Sequence, residues 1–297
     1  MKINCCWLYA ISKYGYPPSL SDTYRVIQEM VDLGFNYIEL EGIGERNLKE
    51  LFQNRQRIKK LAQDIGIKIV NFCPVLRDLV SMEDRKRRKA LQLFSTALEL
   101  ASFFECKTIQ LDSYTPPLKF KGASPYQDNV DFGQQFEVIV DPDFDWKNQW
   151  EVLVDTMNIC AEQSKKAGLK LCLEPRVGEM VSNSDGAMRL IDAVGDENFG
   201  VILDTGHLHA QKEILPLSVE KLNGSIFYVH VSDNDGCRNE HLSLGKGTID
   251  WEGLFLALQK HKFNGYVGID LGRIADMDTA MRNSKQFLEK LAVKMGL

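Results

Sequence analysis

Four side chains at the ends of apolar, β-branched runs are the residues best placed for chemistry. Glu174 follows the run Lys170–Leu173, Asp204 closes Val201–Asp204, His230 lies in Phe227–Val231 and Asp270 in Tyr266–Leu271. If these runs are neighbouring parallel strands, they lie about 4.8 Å apart, and the four side chains can converge on one point. Three carboxylates meeting there without a counter-charge would repel one another, and at least one pKa would rise steeply. A divalent cation removes that conflict. Three oxygen donors and one imidazole suit Mn²⁺, Mg²⁺, Co²⁺ or Fe²⁺ better than a thiolate-seeking ion. The alternative is a set of polar strand ends, each hydrogen-bonded separately. Glu39 and Asp112 end earlier runs in the same manner.

The elements that must position these residues alternate regularly. Strand candidates are Ile3–Leu8, Tyr37–Leu40, Lys68–Phe72 and Thr108–Leu111, followed by the four runs above. Most are continuously hydrophobic, as expected for parallel strands covered on both faces. Between them lie helical patterns near Asp22–Leu33, Asn47–Ile65, Glu83–Phe104, Trp146–Ala167, Asp185–Val194, Ile214–Leu222, Trp251–His261 and Thr279–Met295. Gly34, Gly66 and Gly168 sit where three of these helices must stop. No Gly-rich phosphate loop follows the first strand, which argues against a doubly wound dinucleotide fold. Strict βα alternation over this length predicts a (β/α)8 TIM barrel, whose catalytic residues stand at the C-terminal ends of the strands. Residues 1–297 read as one domain. The one departure is the loop 112–145 after the fourth strand, carrying Pro116-Pro117 and several aromatics. Its length and position predict a lid or substrate wall.

Composition narrows the function. The 297 residues carry 36 Lys plus Arg against 41 Asp plus Glu, a formal charge of −5, which disfavours a partner with a phosphate backbone. The basic run 85–89 opens a helical pattern and reads as a solvated face. The seven cysteines are odd in number and form no CxxC pair, so a reduced, cytoplasmic setting is expected. No apolar stretch is long enough to span a bilayer, and the first residues lack the apolar core of a signal peptide.

The stretches Leu173-Glu174-Pro175, Gly200-Val201-Ile202-Leu203-Asp204-Thr205-Gly206-His207 and Val229-His230-Val231-Ser232-Asp233 resemble the xylose-isomerase-like barrel superfamily. Within it they are similar to the sugar phosphate isomerase/epimerase group, with ketose 3-epimerases, inosose dehydratases and endonuclease IV as relatives. His241 to Trp251 is similar to that group's H-x-x-x-G-x-G-x-x-D loop. The resemblance implies one divalent metal ion, Mn²⁺ foremost, held by Glu174, Asp204, His230 and Asp270. It also implies substrate contacts from His207 and from Arg238. His207 has a second reading as a cap of the turn after its strand, Arg238 as an exposed loop residue, and His241 as a residue that orients its loop. His209 and His261 match nothing and read as surface residues. The family's last ligand is usually Glu; Asp270 is one methylene shorter, which puts two-base chemistry in doubt more than it does metal binding. The endonuclease branch requires further His ligands where this chain has Asn71-Phe72-Cys73 and Gln110-Leu111-Asp112.

The function expected is therefore a metal-dependent sugar isomerase or epimerase. Glu174 removes the proton α to a carbonyl, and Asp270 or a water it holds acts second, through a metal-stabilised enediolate. Loss of a β-hydroxyl or glycosidic substituent from the same species would make a dehydratase or lyase, including one for C-glycosides. A non-catalytic barrel subunit is the reading of another class, opposed by the intact Glu174, Asp204 and His230. The expected partners are a small-molecule sugar and possible copies of the same chain, not nucleic acid or membrane.

Overall fold

Eight parallel strands close into a barrel in a computed structural model that describes residues 1–122 and 136–296. They are β1 (Lys2–Cys5), β2 (Tyr37–Ile43), β3 (Lys68–Val75), β4 (Thr108–Asp112), β7 (Lys170–Glu174), β8 (Phe199–Asp204), β9 (Ile226–Val231) and β10 (Tyr266–Ile269). Neighbours in the chain are neighbours in the barrel, and β10 pairs with β1 to complete the ring. The short strands β5 (Lys119–Phe120) and β6 (Val138–Ile139) pair antiparallel outside it.

The barrel register brings the acidic strand ends together. Asp112 on β4 lies opposite Glu174 on β7, and Asp204 on β8 lies opposite His230 on β9. Below this level the barrel is filled by side chains such as Val70, Cys172, Ile202 and Tyr228. It is a packed core and not a pore. On the outside, helices lay apolar stripes against the strands. In α2 (Leu20–Asp32) the stripe is Val26, Ile27 and Met30, and a capping box between Ser19 and Asp22 starts the helix. The long helices α3 (Gly44–Asp64), α4 (Asp84–Phe103) and α5 (Trp146–Lys166) follow β2, β3 and the excursion after β4. Gly34, with φ of 83°, takes the left-handed turn that L side chains disfavour directly after α2.

Several boundaries depart from the sequence reading. The run Ile3–Leu8 does not remain a strand: its ladder ends where the Cys6 amide donates to Ile269, and α1 (Leu8–Tyr14) begins at once. Leu8, Tyr9 and Ala10 are buried in that helix, so hydrophobicity continues across a change of backbone state. Strands β2 and β3 run further than expected, which places Glu39 and Glu41 within β2. A short helix, α7 (Thr205–Ala210), follows β8 directly. The expected lid falls partly on residues 123–135, outside the described residues. Its described flanks carry β5 and β6. Helices α6 (Ser184–Val194), α8 (Leu215–Lys221), α9 (Trp251–Lys260) and α10 (Met277–Met295) complete the outer layer. Among the described residues, no helix is long and apolar enough to cross a membrane.

Candidate active site

At the C-terminal mouth, ligand-type atoms of Glu174, Asp204 and His230 lie within 4.8 Å of one another. All three residues are buried. His230 Nδ1 is 2.6 Å from Glu174 Oε1 and 3.9 Å from Asp204 Oδ2, while its Nε2 is 3.1 Å from Glu39 Oε1. Asp204 Oδ1 accepts the His207 backbone N–H at 2.7 Å and caps α7. Its other oxygen, Oδ2, is buried and has no hydrogen-bond partner. A buried carboxylate oxygen without a partner is costly, so this atom is an open demand for a donor or a cation.

The electrostatics point the same way. Burial pushes Glu174 up to about 8, against the opposing pull of His230. Burial, reinforced by the charge of Asp270, raises Asp204 to about 6. Burial also acts against a charged His230, yet Cys6, Glu39 and Glu174 outweigh it and hold the ring well above its ordinary value. The imidazolium thus supplies positive charge that a cation would otherwise provide. The donor set of one imidazole and two carboxylates fits an oxygen-seeking divalent ion. Cys6, Glu39 and His230 form a second close group on the other side of the ring. Gly268 opens the space for it, since a Cβ there would lie 2.4 Å from Cys6 Sγ and 3.1 Å from Glu39 Oε1.

Asp270 lines the same cavity but does not join the close cluster. It lies just beyond β10, and its Oδ2 is 3.1 Å from His241 Nδ1, which also lies 2.8 Å from the Asp270 carbonyl oxygen. Opposing the effect of burial, the hydrogen bond from His241 keeps Asp270 below the ordinary carboxylate value. Of the four expected ligands, three meet and the fourth is occupied by a histidine.

The cavity measures about 310 Å³. His207 lines it, buried, and burial holds its ring neutral by pushing its pKa well below 6.5. Arg238 does not: it is exposed and absent from the lining, and its backbone N–H is tied to Asp235. Arg77 lines the cavity wall, and so does Arg176, two residues after Glu174. Arg176 donates to Asp112 Oδ2 at 2.5 Å and to both oxygens of Glu179 at 3.1 and 3.0 Å. Asp112 is further held by Gln110 Nε2 at 3.2 Å, and Gln110 by Asn71 at 2.8 Å. Glu41 lines the cavity as well, and burial with the charge of Asp112 lifts its carboxyl well above 4.5. His209 is half-buried, with Nδ1 2.7 Å from Asn234 Oδ1, and His261 lies beside Glu220 at 3.0 Å, so neither is a free surface residue.

A family model described as xylose isomerase-like TIM barrel matches residues 27–291. The chain belongs to that family. Among solved structures, the 3-keto-D-glucoside 4-epimerase of E. coli superimposes with a TM-score of 0.76 at 18% identity, covering 98% of this chain and 99% of that one. A structure titled as the IOLI protein with a binding zinc atom superimposes at 0.71 with 18% identity, over 99% of each chain. An inosose dehydratase of Clostridium perfringens is 23% identical over 171 residues, 50% of this chain and 56% of its own. At these identities the likenesses speak for the fold.

Arg176, Glu179, Glu41 and Asn239 were not singled out from sequence. Arg176 and Glu179 stand close after the Glu174 strand end, and Glu41 two residues after Glu39, so proximity to strand ends was the available signal.

Proposed function

We propose that this protein is a divalent-metal-dependent isomerase or epimerase of a sugar, acting by removal of the proton α to a carbonyl. The observation that carries this reading is the buried Glu174–Asp204–His230 cluster, with a partnerless Asp204 oxygen beside a carboxyl raised to about 8. The family's relatives with epimerase in their names support the substrate class.

Glu174, Asp204 and His230 would hold the ion, with Mn²⁺ the first choice and Asp270 near enough to share its charge. When bound, the cation supplies Lewis-acid polarisation of the substrate carbonyl. Glu174, which lines the cavity, is the base that takes the α proton. Asp270, backed by His241, is the second acid or base at the cavity wall. His207 contacts a substrate oxygen, and Arg176 holds its wall rigid through Asp112 and Glu179.

A dehydratase is the second reading, favoured by Glu41. This cavity-lining carboxyl keeps its proton more readily than an ordinary Glu and so can protonate a departing hydroxyl. Inosose dehydratase among the relatives is consistent with it.

The test uses chelator-stripped protein reloaded with Mn²⁺ and offered a panel of ketoses and keto-sugars in deuterated water. The epimerase reading expects solvent deuterium at the α carbon, lost in Glu174→Gln. A product lighter by one water would establish the dehydratase. Stoichiometric Mn²⁺ binding without exchange or dehydration in any member would overturn both.

A further inference from the structure

Two histidines at the cavity, His207 and His241, share one partner. Asn239 Nδ2 lies 2.9 Å from His207 Nδ1 and 2.9 Å from His241 Nε2. All three residues are buried, so water does not compete for these bonds. An amide nitrogen can only donate, and both ring atoms must therefore present lone pairs. The backbone orients Asn234, and Asn234 orients the Asn239 amide.

The Gly236 backbone N–H donates to Asn234 Oδ1 at 2.8 Å, and Asn234 Nδ2 donates to the Gly206 carbonyl at 2.9 Å. One backbone donor and one backbone acceptor thus orient this amide. Its Nδ2 also reaches Asn239 Oδ1 at 3.4 Å, so the oxygen of Asn239 faces Asn234 and its nitrogen faces the two rings. The Val177 backbone N–H, 3.3 Å from His207 Nδ1, requires a lone pair on the same atom. His241, bare at Nε2, keeps its proton on Nδ1 and donates it to Asp270.

We infer that Asn239 is a positioning residue that locks His207 as the neutral tautomer protonated at Nε2, the nitrogen free to meet the substrate. Two backbone-supported donors occupy Nδ1, and no described residue takes Nε2. The ring therefore offers the cavity a hydrogen-bond donor, suited to a carbonyl or hydroxyl oxygen on which negative charge develops, and cannot act as a base through that atom. Gly206 belongs to the same device: a Cβ there would stand 2.4 Å from Asn239 Oδ1 and 2.4 Å from Ser232 Oγ. What the donor meets rests on the sugar-enzyme reading above; the tautomer does not.

Long-range ¹⁵N–¹H correlation spectra read the tautomer directly, and the chain has only five histidines. His207→Gln identifies the signals. The native protein should show His207 protonated at Nε2 and bare at Nδ1. In Asn239→Asp a carboxylate replaces the donor, and the proton should move to Nδ1 while Mn²⁺ affinity holds. With a substrate in hand, kcat/KM of that variant should fall on the order of 100-fold, the loss typical of a removed oxyanion donor. A native His207 protonated at Nδ1, or a tautomer unchanged in Asn239→Asp, overturns the inference. The native spectrum decides even if the variant fails to fold. The expected tautomer in a protein inert towards every sugar would refute the proposed reaction alone.

Discussion

Replacing Glu174 by Gln should stabilise the chelator-stripped protein at pH 8 and leave it near the parent at pH 5. Burial lifts the Glu174 carboxyl from its ordinary 4.5 to about 8. An acid whose pKa is higher folded than unfolded binds more protons in the native state. Its contribution to stability is complete below 4.5 and is lost as the pH rises through 8. At 1.36 kcal/mol per pH unit, that interval corresponds to about 5 kcal/mol. This is an upper bound, because ionising Glu174 also strengthens the proton held by His230 at 2.6 Å. Gln has the shape of the neutral acid but no proton to lose, and its Oε1 can still accept from His230. Half of the bound, about 2.5 kcal/mol, translates into roughly 5–10 °C of melting temperature on the scale of large single domains. Scanning calorimetry in chelator from pH 5 to 8.5 measures it as the difference between parent and variant. A raised carboxyl common to both proteins and not influenced by Glu174, such as Glu179, cancels in that difference. Parallel stability curves would refute the premise that Glu174 is a frustrated acid in the metal-free site.

Adding Mn²⁺ at 100 times its Kd should stabilise the parent by about 2.7 kcal/mol. Asp204→Asn should abolish that shift while keeping the α7 cap; a shift retained in the variant would place the ion elsewhere. Gly206→Ala should cost about 1–3 kcal/mol in urea unfolding, because its Cβ is forced against Asn239 and Ser232. An unchanged midpoint would show that this contact relaxes freely. A thiol reagent should modify Cys237 rapidly and leave the six buried cysteines untouched in the folded protein. Rapid labelling of Cys6 or Cys73 would mean that the cavity admits the reagent, and fast reaction of further thiols in Cys237→Ser would measure it.

The barrel was legible because apolar, β-branched runs alternate with helical patterns. Strands β4, β7 and β8 stop on Asp112, Glu174 and Asp204, and parallel register sets Asp112 opposite Glu174 and Asp204 opposite His230. That pattern offered Glu174, Asp204, His230 and Asp270 together, and the fold brings the first three into one close cluster. The first helix did not follow from the pattern: Leu8, Tyr9 and Ala10 continue the hydrophobicity of β1, and only the end of the β1–β10 ladder separates strand from helix. Arg238 was expected to contact the substrate, whereas Arg176 lines the cavity. Arg176 and Arg238 both occupy loops beyond strand ends, and loop position carries no direction. Arg176 is aimed inward by Asp112, 64 positions away in the chain, and by Glu179. Arg238 has no such anchor and points to solvent. Asn239 was unreadable because its role depends on four residues that meet only once β7, β8 and the loop after β9 are folded.

Asp270 shows how a shortened side chain can remain useful without repeating the function of a longer one. It lies outside the close cluster, yet its charge is the strongest electrostatic influence after burial on Asp204. Moving it nearer would add a third carboxylate to a site where burial already penalises two. At its present place it pairs with His241, which lowers its pKa and keeps it anionic near neutral pH, while Glu174 keeps a proton up to about 8. In the metal-free site the two carboxyls thus differ in protonation, and a cation held by Glu174 would remove that difference by favouring its anion. His241 is bound to Asp270 on one side and to Asn239 on the other, and Asn239 in turn sets His207. The shorter acid therefore acts through an imidazole coupled to the residue expected to touch the substrate, and the second proton-transfer position is a pair, Asp270 with His241, instead of a single long carboxylate.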